Sequence, residues 1–217
     1  MPNFSAQRFN MVASQVLAGG VIDERICTAM RQVERERFVP AVKQVIAYAE
    51  TPIELVPGRY LMDARTFGLM LQAADATTTD KVLDVGCGTG YSTVVLSELA
   101  GRVIGLEQDA DLVRIATELL RPLIGGKITV VQGSLAEGHH AEAPYDVILI
   151  NGGIETQPRA LLSQLAEGGR LVAIVGSGTE QRATVFLNEK GHIGRRVVFD
   201  AHLPTLAGFK QPTGFVF

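Results

Sequence analysis

The stretch KVLDVGCGTGYS, residues 81–92, joins an apolar run to three glycines at positions 86, 88 and 90. Glycines at that spacing let the chain turn sharply off a strand. They also leave bare backbone against which a ligand can lie closely. A later apolar run ends in Glu107, roughly 20 positions beyond the first glycine. A carboxylate there can accept hydrogen bonds from both hydroxyls of a ribose, whereas it would repel the 2′-phosphate of NADP. Together these residues point to a nucleotide-type ligand held by backbone and one acid.

Such a turn needs a strand before it and a helix after it. The runs KVLDV, RVIGLE, ITVVQG, YDVILIN and RLVAIVG each predict a buried strand. YSTVVLSELA, ADLVRIATELLRPL and PRALLSQLAEGG fall between strands and predict helices. This alternation predicts a parallel sheet with helices on both faces. ATVFLNEKG and HIGRRVVFDAHLPTL predict an antiparallel pair at one sheet edge, around a turn at residues 189–191.

The first third reads as helical. FNMVASQVLAGG has apolar residues at helical spacing, and Asp23 is placed to cap DERICTAMRQV, with Ile26, Met30 and Val33 on one face. RQVERER alternates in sign and predicts a solvated helix face. Pro52, Pro57 and Gly58 mark an irregular or extended segment, after which Asp63 caps a helix over residues 64–74. The expected organisation is one domain over residues 1–217. Residues 1–75 form its helical cap and substrate side, and residues 76–217 its α/β core.

Composition excludes several classes. With 217 residues, 47% of them hydrophobic and 20% charged, the chain can bury a sizeable core without disulfides or a structural metal. A net charge of -3 and no dense Lys/Arg stripe argue against nucleic acid. Cys27 and Cys87 lie far apart, and Cys87 sits inside the glycine turn; a reduced, cytoplasmic setting is expected. The four histidines lack paired ligand spacing, so no metal site is expected. MPNFSAQRFN has no apolar signal-peptide core, and no window approaches the ~18 apolar residues of a membrane span. The composition leaves the oligomeric state open.

A dinucleotide fingerprint, G-x-G-x-x-G, would put its third glycine at Tyr91; here it comes one residue early. G-x-G-x-G after Asp84 resembles the first motif of S-adenosylmethionine-dependent methyltransferases, whose loop cradles the methionine part of the cofactor. AMRQVERERFVP and AYAETPIEL narrow the resemblance to protein-L-isoaspartate O-methyltransferases, as does YDVILINGGIETQPRALLSQLAEGGRLVAIVG. It covers residues 11–176 and extends toward LPTLAGF. The resemblance implies a Rossmann-like α/β methyltransferase fold: a mostly parallel sheet, an antiparallel C-terminal edge and a helical N-terminal cap. It implies S-adenosyl-L-methionine as cofactor, S-adenosyl-L-homocysteine as product, and methylation of isoaspartyl carboxylates in damaged proteins or peptides. The implied cofactor residues are Asp84, Gly86, Cys87, Gly88, Thr89, Gly90, Glu107, Gln108, Gly133 and Ser134. Ser134 stands where the family has an aspartate near the adenine amino group, so it offers an acceptor without charge.

The substrate side departs from that family. Its Gly-Gln-Thr-x-Ser-x-Pro segment reads GRYLMDA here, with Arg59, Tyr60 and Met62 in place of Gln, Thr and Ser. Most of the hydroxyls near the reacting carboxylate are thereby lost, and a thioether donates no hydrogen bond. Arg59 is either a planar clamp for an acid or a surface arginine after a turn. Tyr60 and Met62 are either substrate-side residues or packing. Asn151 either touches substrate or cofactor, or is a turn residue before Gly152. His139 and His140 are expected in solvent. No base is assigned, because a carboxylate acceptor with a pKa near ~4 is already ionised at pH 7. Methylation of a different, small acid, a cofactor-binding module without catalysis, and an NAD-linked oxidoreductase are the other readings.

Overall fold

A computed structural model of the chain describes residues 2–124 and 126–211. Asn3 caps α1 (Phe4–Met11), which continues into a π-helical stretch, Val12–Leu17. Asp23 accepts the Arg25 N–H and starts α2 (Glu24–Gln32), whose Ile26 and Met30 are buried. Two 3-10 segments follow, Arg35–Phe38 and Ala41–Ile46. Here the solvated-face expectation for RQVERER fails: Arg35 is fully buried and Glu36 is buried beside it. The helix stops at Gln32, so the sign alternation falls on a tight turn that sends Arg35 inward.

The Pro/Gly-marked segment is a hairpin, β1 (Ile53–Val56) and β2 (Arg59–Leu61), forming its own two-stranded sheet. Asp63 accepts the Thr66 N–H and caps α3 (Ala64–Ala74), as expected.

The remaining elements alternate: β3 (Lys81–Val85), α4 (Tyr91–Leu99), β4 (Arg102–Glu107), α5 (Ala110–Leu120), β5 (Ile128–Gln132), β6 (Tyr145–Ile154), α6 (Arg159–Leu162), β7 (Leu165–Val175), β8 (Arg182–Glu189) and β9 (His192–Asp200). They form a seven-stranded sheet in the order β5-β4-β3-β6-β7-β8-β9. Its first five strands are parallel, and β8 and β9 add an antiparallel edge. Lys190 and Gly191 turn that edge with φ of 53 and 79 degrees. The helix expected over PRALLSQLAEGG is a single turn, because β7 already begins at Leu165, which pairs with Tyr145.

One apolar cluster joins α2, α3 and α4 to one face of the sheet; a second fills the other face and takes in Leu206 and Phe209 from the C-terminal segment. Each large aliphatic side chain buried there contributes about 1.5–3 kcal/mol. The chain leaves β3 toward β4 on one side and β6 lies on the other, so the carboxyl end of β3 borders the switch point, between β3 and β6, where α/β sheets bind ligands. Among the described residues no helix is long and apolar enough to cross a membrane.

Candidate functional site

At the carboxyl end of β3 the chain turns through Gly86, Gly88 and Gly90 at φ of 73, 58 and 99 degrees. All three lie in the left-handed region that side chains resist. Gly86 and Cys87 donate their N–H groups to the Leu106 carbonyl at 2.8 and 3.1 Å, tying the turn to β4. Gly90 caps α4 without a side chain, so the first N–H groups of that helix receive no side-chain cap.

Asp84 braces the turn from below. Its carboxyl is fully buried, accepting the Ser92 hydroxyl at 2.7 Å, the Thr93 hydroxyl at 2.6 Å and the Asn151 amide at 2.6 Å. Burial pushes its pKa up, against the downward pull of those three donors. Thr89 donates its hydroxyl to the Phe38 carbonyl at 2.6 Å, so the turn is also anchored to the N-terminal segment. Cys87 is buried, and burial raises its thiol well above the ordinary value. Both cysteines are free.

Glu107 ends β4 with no exposed surface. Its Oε1 accepts the N–H groups of Gln108 at 2.8 Å and Asp109 at 3.2 Å. Its Oε2 accepts the Gly88 N–H at 2.9 Å and Arg59 Nη2 at 2.6 Å. The acid singled out by spacing is therefore brought against the glycine turn, and Arg59 from β2 is brought to both. Gly133 is drawn to the same place, donating its N–H to the Glu107 carbonyl at 3.0 Å. Ser134 and the Gln108 side chain lie exposed beside it.

Arg59 is not a surface arginine: it is 9% exposed, and among the described residues its Nε and Nη1 are buried without a hydrogen-bond partner. A Cβ placed on Gly86 would lie 2.9 Å from Arg59 Nη2, and one on Gly88 would lie 2.9 Å from Leu55 Cδ1. Leu206 comes within 3.5 Å of the same point above Gly86. The bare backbone is thus covered by Arg59, Leu55 and Leu206, and the space left beside Tyr60, Met62, Cys87 and Asn151 is about 10 Å³, room for one water.

The other substrate-side residues separate. The Tyr60 hydroxyl reaches Glu54 at 3.3 Å along the hairpin. Met62 is buried, and its carbonyl accepts from Arg35 Nη2 at 2.6 Å. Asn151 spends both amide hydrogens, on Asp84 and on the Val85 carbonyl at 3.1 Å. His140 is exposed and His139 half-buried. Sequence reasoning missed Arg35, which donates to the Ala47 carbonyl at 2.7 Å and stands 4.9 Å over the Tyr91 ring. It also missed Leu55 and Leu206, whose apolar character carried no sign of where they would lie.

These residues fit a ribose-bearing ligand: a buried acid with one oxygen facing the turn, and backbone that a Cβ would obstruct. The occupant of that position is the chain's own guanidinium.

A family model described as protein-L-isoaspartate (D-aspartate) O-methyltransferase matches residues 7–203. A protein-L-isoaspartate O-methyltransferase from Koribacter versatilis is 36% identical over 208 residues, covering 96% of this chain and 94% of its own. Among solved structures, one described as a beta-aspartate methyltransferase from Plasmodium falciparum, in complex with S-adenosyl-L-homocysteine, aligns with a TM-score of 0.80 at 22% identity. That alignment covers 92% of this chain and 97% of that one. Another, a protein-L-isoaspartate O-methyltransferase, aligns with a TM-score of 0.78 at 21% identity over 94% of this chain and 66% of its own. At those identities the two structures bear on the fold, which they share with this chain.

Proposed function

Because the chain belongs to the protein-L-isoaspartate (D-aspartate) O-methyltransferase family, we propose that it transfers the methyl group of S-adenosyl-L-methionine to the carboxylate of isoaspartyl residues in proteins or peptides. The observation that carries this is the meeting of Glu107 with the glycine turn at the carboxyl ends of β3 and β4, beside the switch point between β3 and β6. Glu107 Oε2 would hold the ribose hydroxyls, and the bare backbone at Gly86, Gly88 and Gly90 would take the rest of the cofactor. Gly133 and Ser134 border the adenine side.

The bound cofactor supplies an activated methyl group for in-line displacement. The protein's part is alignment and exclusion of water, worth on the order of 7–11 kcal/mol when reactants are well oriented. No residue needs to remove a proton, since the acceptor carboxylate is already ionised at pH 7. Leu55, Met62 and Leu206 give the cleft apolar walls that exclude water.

In this reading residues 1–75 supply the cap and substrate side of one methyltransferase domain, and residues 76–217 its cofactor core. Two buried, free thiols suit a reducing cytoplasm.

Transfer of labelled methyl groups to an isoaspartyl peptide tests the reaction, and calorimetry with S-adenosyl-L-homocysteine tests the cofactor. We expect incorporation above background, and at least tenfold weaker cofactor binding in Glu107→Ala. Equal affinity in that variant would remove the ribose assignment. The Arg59–Glu107 pair and the replacement of the family's Thr and Ser at positions 60 and 62 favour a second reading, methylation of a small acid or binding without turnover. Cofactor binding with no incorporation into any peptide would select it.

A further inference from the structure

Arg59 and Glu107 are unequal partners. Glu107 accepts three backbone N–H groups besides the guanidinium, from Gly88, Gln108 and Asp109. Arg59 holds Glu107 through Nη2, while its Nε and Nη1 have no partner among the described residues although the residue is nine-tenths buried. If the two part, the acid keeps its bonds and its place; the arginine loses its anchor.

The segment bearing Arg59 is held by the buried side chains of Ile53, Leu55 and Leu61 and not by strand pairing with the main sheet. β1 and β2 pair with each other and not with the seven-stranded sheet. Their register shifts between Glu54 and Val56, and Lys43 Nζ reaches the Glu54 carbonyl at 2.7 Å. Leu55, which covers Gly88, lies on the same short hairpin as Arg59.

We propose that Arg59 is an exchange residue, a positioning group that leaves Glu107 when ribose hydroxyls take its Oε2, and that its released guanidinium then anchors the acceptor's carboxylate. This rests on the methyl-donor reading above. Once Nη2 leaves Glu107, it completes with Nε or with Nη1 the planar two-pronged fork that clamps a carboxylate. The acceptor site is then complete only when the cofactor site is filled. Binding is ordered, cofactor first, and the closed form keeps its buried acid neutralised meanwhile.

The test is calorimetry on the full chain, with S-adenosyl-L-homocysteine and an isoaspartyl peptide that has no other charged side chain. Arg59→Gln should bind S-adenosyl-L-homocysteine at least fivefold more tightly than the parent, since nothing has to be displaced. The parent should bind the peptide at least tenfold more tightly with S-adenosyl-L-homocysteine present than without it, and Arg59→Gln should lose that difference. Equal or weaker S-adenosyl-L-homocysteine binding by Arg59→Gln overturns the exchange and leaves the cofactor reading standing. No binding by either protein overturns both. If Arg59→Gln does not fold, the two peptide titrations of the parent decide alone: equal peptide affinity in both overturns the proposal.

Discussion

Asn151 Nδ2 donates to Asp84 Oδ1 at 2.6 Å across residues 67 positions apart, joining β6 to β3 beneath the glycine turn. With the Ser92 and Thr93 hydroxyls it leaves the buried carboxyl well supplied with donors. Asn151→Ala should cost about 1–3 kcal/mol, the usual consequence of stripping a partner from a buried polar group. Asn151→Asp should cost more, and more at pH 7 than at pH 4, because above the unfolded carboxyl pKa of about 4 it sets two ionising carboxyls against each other. Urea denaturation at the two pH values measures this; a variant as stable as the parent would show that the tie carries nothing.

Arg35 is buried under Tyr91 and supplies donors to the carbonyls of Ala47 and Met62. Arg35→Met keeps an unbranched apolar stem but leaves both carbonyls unpaired. The expected loss is about 2–4 kcal/mol. A midpoint in urea unchanged from the parent would mean the arginine merely fills space.

Gly90 stands at φ 99 degrees, and a Cβ there would meet Leu120 Cδ1 at 2.8 Å. Gly90→Ala therefore combines backbone strain with a clash against α5, and should destabilise by more than about 1 kcal/mol. It should also weaken S-adenosyl-L-homocysteine binding, because the turn must shift. Thermal melts and calorimetry read the two effects separately, and retention of both parental values would contradict the strain.

Burial alone would push the Asp80 carboxyl up, but the Thr77 N–H and hydroxyl and the Arg170 guanidinium at 2.8 Å outweigh it and hold the group below its ordinary value. A carboxyl lowered on folding stabilises the protein above its unfolded pKa of about 3.9, and that contribution fades as pH falls through the lower folded value. Asp80→Asn should thus be less stable than the parent at pH 6, with the gap narrowing below about pH 4. A gap constant from pH 6 to strong acid would place the effect in packing.

Cys27 and Cys87 are buried, and burial raises both thiols, Cys87 strongly. Thiolate is the reactive form, so alkylation at pH 8 should be slow in the native protein and complete in denaturant. Mass spectrometry after iodoacetamide counts the labels. Rapid native labelling of Cys87 would show that the turn opens freely.

Local regularities in the chain carried far. The βαβ alternation, the caps at Asp23 and Asp63 and the helix over residues 64–74 follow from apolar spacing and from side chains that bond their own next turn. The glycine turn and the acid at the end of the next strand follow from backbone demands met by neighbouring residues. Those features pointed to a nucleotide-type ligand and, with the flanking motifs, to the family.

Where the charged and polar side chains of the site would go was decided by contacts between distant segments. Arg59 follows a Pro-Gly turn and looks like a solvent residue until the hairpin folds over Glu107, 48 positions away. Arg35 sits in an alternating charge run until α2 ends and turns it beneath Tyr91. Asn151 was equally consistent with a ligand contact or a turn until β6 came to lie beside β3. Periodicity records which face of an element is apolar. The burial of a charge depends on the partner that meets it there, and only the tertiary fold brings that partner into place.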